Sequence, residues 1–95
     1  MAERRVTIGW PDGLHARPAS ILVRAATATG VPVTIARGEG KPVNAASLLA
    51  VLSLGAESGE EVVLTTGKEG EAAEEALDRL ARLIAEGLDE PPENL

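Results

Sequence analysis

RRVTIGWPDGLHARPAS, residues 4–20, passes from one backbone period to another. Val6 and Ile8 face one way while Arg5 and Thr7 face the other, the signature of a half-buried strand over residues 4–9. Pro11, Asp12 and Gly13 then make a loop. From Ala16 onward, Ala19, Leu22, Val23 and Ala26 recur at i, i+3, i+4, i+7, one stripe of a helix. Pro18 suits a first turn, where its missing N–H costs nothing, and Gly30 ends the helix. The chain's single histidine, His15, therefore stands where the helix begins.

Outward from this unit, residues 31–37 alternate again, with Val31, Val33 and Ile35 on one side. Gly38, Glu39 and Gly40 form a tight connection, and residues 41–43 read as a short returning strand. Asn44 is placed to cap a short helix of residues 47–54, closed by Gly55. Residues 60–66 alternate as a strand, Val62 and Leu64 against Val63 and Thr65. Ala73, Ala76, Leu77, Leu80, Leu83 and Ile84 mark an amphipathic last helix ending near Gly87. The order is β-α-β-β-α-β-α. Half-polar strands and one-faced helices pack as a single sheet with helices on one side, an α+β layer. Residues 1–88 are expected to form one domain, and residues 89–95, acidic and holding two prolines, a flexible tail.

Composition narrows the chemistry. A chain of 95 residues suits one modest core. It has no cysteine, so disulfides, thiolate catalysis and Cys-based metal sites are excluded, and a reducing cytoplasm is the fitting compartment. Nothing resembles a signal peptide, and no apolar run is long enough to span a bilayer. A net charge of −6 with Trp10 as the sole aromatic argues against nucleic acid and favours partners with basic patches. No metal or cofactor is expected.

His15 is oddly placed for a structural residue. Helix N-termini favour Asp, Glu, Ser and Thr, because their free N–H groups and dipole attract anions. An imidazole at such an end, beside a guanidinium, brings a ring-nitrogen lone pair to an anion-binding position. The N–H groups near Ala16, Arg17 and Pro18, with the Arg17 fork, can hold the oxygens of a transferred phosphoryl group. A surface histidine that merely precedes a helix stays open on chemistry alone. A hydrolase triad lacks its nucleophile, and a metal site lacks its further ligands.

GLHARPAS is similar to the active-site signature of the HPr family, the histidine-containing phosphocarriers of the bacterial sugar phosphotransferase system. A second block, VNAASLLAVLSLG at residues 43–55, resembles the regulatory-serine region of the same family. With the element order, the likeness spans roughly residues 3 to 88. It implies an open-faced sandwich, a four-stranded antiparallel sheet with three helices on one face. It implies that His15 takes a phosphoryl group on Nδ1 from phosphorylated enzyme I and passes it to an enzyme IIA domain, with Arg17 steadying it. The chain is then a covalent relay and not an autonomous enzyme. The family's serine falls on Ser47, which a serine kinase phosphorylates in some relatives. Asp12 departs from a neutral residue in many relatives and is expected to face solvent or Arg17. Ala46 replaces a common lysine. Trp10 beside the loop leaves a partner contact and simple packing both open.

The short helix is apolar on too many sides. Leu48, Val51 and Leu52 fit one stripe and Leu49 lies off it, so some leucines should be exposed. The resemblance puts Leu48, Leu49 and Leu52 at the face that docks enzyme I and enzyme IIA, bordered by Ser20 and Arg24, on a monomer. The Glu-rich run at 69–75 reads as the solvated start of the last helix, and Arg37 and Lys41 as ordinary strand-end charges. Two other functions compete with the sugar relay. One is a regulatory effector working through the apolar helix and Ser47, with His15 idle. The other is a carrier in a nitrogen-related or dihydroxyacetone-kinase phosphorelay.

Overall fold

The computed structural model describes residues 2–89. The elements run β1 (Ala2–Thr7), α1 (Ala16–Thr29), β2 (Thr34–Arg37), β3 (Val43–Asn44), α2 (Leu48–Ser53), β4 (Glu61–Thr66) and α3 (Glu71–Glu86). The four strands form one antiparallel sheet in the order β1-β4-β2-β3. The expected β-α-β-β-α-β-α order and the α+β layer are both present. Of the expected tail, Asp89 alone is described; residues 90–95 lie outside the described residues.

Register explains which face is covered. Val6 pairs with Val62 and Arg4 with Leu64, while Ile35 sits opposite Leu64 from the other side. Val6, Val62, Leu64 and Ile35 are buried. The opposite face carries Glu3, Arg5, Thr65 and Thr34, as period-two alternation requires. Above the covered face, α3 buries Ala73, Ala76, Leu77, Leu80, Leu83 and Ile84, the full set expected of its stripe. Each large side chain so buried contributes about 1.5–3 kcal/mol. Arg4 reaches from β1 to Glu74 and Asp78 of α3.

The structure corrects several boundaries. β2 begins at Thr34 and not at residue 31, because Pro32 has no N–H for a ladder. β3 comes to two residues, Val43 and Asn44, following Pro42. In α1 the buried stripe is Ala19, Ile21, Leu22, Ala25 and Ala26, with Val23 half-buried at its margin. Asn44 does not cap α2: its Oδ1 accepts from the Ala46 N–H at 2.9 Å, a local turn. The cap is Ser47, whose Oγ accepts from the Ala50 N–H at 3.3 Å. Ser47 therefore stands just before the first helical turn.

Candidate functional site

The segment between β1 and α1 is held at both ends. Gly9 donates its N–H to the Ile84 carbonyl at 2.9 Å, so the chain just past β1 runs directly under the end of α3. A Cβ at Gly9 would stand 2.1 Å from the Ala85 carbonyl oxygen, which no side chain could tolerate. Trp10 is buried, and its Nε1–H donates to the Leu88 carbonyl at 3.0 Å. That contact decides between the two readings of Trp10: it packs against the fold and is not exposed to a partner. Leu88 in turn donates to the Leu83 carbonyl and Gly87 to the Ile84 carbonyl, the paired bonds of a Schellman ending.

At the other end, Gly13 has φ +75° and presses against the loop between α2 and β4. A Cβ there would lie 2.7 Å from the Ala56 carbonyl oxygen. Leu14 is buried and donates its N–H to that same oxygen at 2.9 Å. The sequence reading passed over Leu14; an apolar residue inside a polar loop was the available signal.

His15 follows this anchor directly. It is the N-cap of α1 with extended backbone (φ −88°, ψ −166°), and its side chain makes no capping bond. Its carbonyl accepts the Ala19 N–H at 2.8 Å, the first bond of the helix. The residue is exposed. Ala16 and Arg17, at the first two helical positions, have N–H groups with no intrahelical acceptor. Pro18, third in line, has no N–H to offer; its part is to fix φ for the first turn. Arg17 lies 3.9 Å from Asp89, with both side chains more than 70% exposed, namely 77% and 75%. A pair so exposed is worth little, so the guanidinium is available to an anion. Asp12 is exposed, as expected of a carboxylate near such a site.

The remaining candidates occupy neighbouring elements. α1 packs against both α2 and α3. Ser20 is half-buried on α1, and Arg24 is exposed and makes no ion pair among the described residues. On α2 only Val51 is buried; Leu48, Leu49 and Leu52 are exposed, Leu49 by 82%. The expected stripe of Leu48, Val51 and Leu52 thus reduces to one buried residue, because a helix this short presents a single narrow face to α1. A shallow groove of about 640 Å³, lined in part by Pro32, Thr34, Pro42, Thr65 and Gly67, contains none of the candidate residues. No helix among the described residues is long and apolar enough to cross a membrane.

Comparison with known proteins matches these features. The family model for the phosphorylation site of the PTS HPr component covers residues 2–86. The phosphocarrier protein HPr of Streptomyces coelicolor is 70% identical over the full length of both chains. The crystal structure of a phosphocarrier protein HPr from Bacillus anthracis superposes with a TM-score of 0.79 at 37% identity, covering 87% of this chain and 95% of that one. The Crh protein of Bacillus subtilis, described as a swapped dimer, aligns with a TM-score of 0.65 at 36% identity over 88% of this chain and 93% of that one. With its sheet order, its histidine at the start of α1 and its matched signature, the chain belongs to the HPr family of phosphotransferase-system phosphocarriers.

Proposed function

We propose that the chain carries a phosphoryl group on Nδ1 of His15 from phosphorylated enzyme I to the enzyme IIA domains of sugar permeases. The observation that carries this reading is the exposed, uncommitted imidazole of His15 at the first turn of α1, set on a loop that is fixed on both sides. The Nδ1 lone pair attacks phosphorus as the bond to the donor breaks, leaving its electron pair on the donor. The Ala16 and Arg17 N–H groups and the Arg17 guanidinium stabilise the charge on the transferring oxygens. The same steps run in the opposite sense on the acceptor, so the carrier returns unchanged.

The effector reading needs neither His15 nor Arg17, and the HPr signature over both supports the relay. Residues 1–88 act as one unit, in the cytoplasm. The unit works as a monomer. Light scattering across the working concentration range checks the oligomeric state. Relay function is tested by loading the chain with enzyme I and phosphoenolpyruvate, then adding an enzyme IIA domain. The phosphoryl group should leave this chain and appear on IIA; a loaded chain that transfers to no IIA domain would refute the onward step.

A further inference from the structure

A relay partner has to meet His15 and the leucines of α2 together, yet these lie on separate elements. Besides the packing of α1 against α2, what ties them together is the loop from residue 54 to residue 60. It continues directly from α2, and its Ala56 carbonyl holds the Leu14 N–H, one residue before His15. The same loop grips the start of the segment: the Glu60 carbonyl accepts the Ile8 N–H at 2.9 Å, and Gly59 donates to the Ile8 carbonyl at 3.0 Å.

Two side chains hold this loop. Arg37, at the end of β2, donates from Nη1 to the Leu54 carbonyl at 3.3 Å, where α2 ends. Its Nε and Nη2 donate to Glu60 Oε2 at 3.2 and 2.9 Å. The other oxygen of Glu60 accepts the Glu57 N–H at 2.7 Å. One guanidinium and one carboxylate therefore join the end of α2, the crest of the loop and the start of β4. Planar guanidinium geometry suits such multi-point contact, which lysine could not reproduce.

We propose that Arg37 and Glu60 are positioning residues for phosphoryl transfer, a clasp that keeps the His15 loop and the α2 face in one docking geometry. This rests on the relay reading given above. Neither residue touches the transferring group; both act through Leu54, Glu57 and Ala56. The Arg37 charge, ordinary by sequence, is distinguished by what it grips.

The test uses Arg37→Gln and Glu60→Gln in the full chain, with three readouts. Exchange of the Leu14 amide, followed by NMR, should speed up about tenfold, while Leu64 in the sheet centre stays protected. Acceptance of phosphoryl from phosphorylated enzyme I should fall roughly tenfold in kcat/KM, the scale expected for a misplaced reacting group. Phosphorylation by the small donor phosphoramidate should stay within about twofold of the parent rate, because it needs no docking on α2. Unchanged Leu14 exchange, or equal losses with the small and the protein donor, would overturn the proposal. Failure of the relay reading itself looks different: the unmutated chain would then take no phosphoryl group from enzyme I, while Leu14 exchange would still report on the clasp.

Discussion

At His15 an imidazole occupies the helix end that disfavours cations, and it spends no hydrogen bond there. Arg17 sits two residues on, loosely near Asp89 across 3.9 Å. Its work is therefore expected at the transferring group and not in the fold. Arg17→Ala should melt like the parent yet transfer slowly, losing on the order of 2–4 kcal/mol of transition-state stabilisation. Stopped-flow rates with enzyme I, read beside a thermal melt, check this; an unchanged rate makes the guanidinium a bystander. Glu60 offers a pH test at the same scale. The hydrogen bond from Arg37, with that from the Glu57 N–H, holds its carboxyl below the ordinary value of 4.5. A lowered carboxyl stabilises the fold above its unfolded value and loses that contribution as pH falls through the folded one. Leu14 amide protection, corrected for intrinsic exchange, should therefore be constant from neutral pH down to about 4.5 and decline below it.

α2 is the element where a modification would speak to the site. Ser47 is its N-cap, with Oγ accepting from Ala50. Ser47→Ala should cost about 0.5–2 kcal/mol, seen as a lower Tm. Ser47→Asp keeps an acceptor at the cap and a negative charge at the positive end of the helix. It should hold Tm near the parent value while slowing transfer from enzyme I, since the new charge borders Leu48 and Leu49. A mutant that melts far earlier, or transfers at the full rate, contradicts this. The elements themselves were legible because period and punctuation agreed: every buried position of α3 could be read from its spacing, and Gly30 and Gly87 both close their helices in the left-handed conformation. The cap of α2 was misread because Asn44 and Ser47 have similar chemistry three residues apart. What separates them is β3, whose pairing commits the Asn44 backbone to the sheet. The burial of Trp10 was equally illegible, since its partner, the Leu88 carbonyl, is 78 residues away. The roles of Arg37 and Glu60 were hidden for the same reason, being contacts made across the sheet end and not along the chain.

Across the whole molecule, a fixed histidine loop and an exposed leucine surface lie on two helices that pack together. A carrier that meets several partners in turn needs modest affinity and fast release, which suits a small exposed apolar face. Leu49 is 82% exposed, so Leu49→Ala should leave stability within about 0.5 kcal/mol. It should raise KM for enzyme I by several-fold, corresponding to roughly 1 kcal/mol of lost docking energy. An unchanged KM would move the docking surface elsewhere. The most direct measurement of the central claim is intact mass after incubation with enzyme I and phosphoenolpyruvate, before and after mild acid. The expected result is one added phosphoryl group, lost in acid, assigned by NMR to Nδ1 of His15, and absent from His15→Ala. Full labelling of the His15→Ala protein, or an adduct that survives acid, would contradict it.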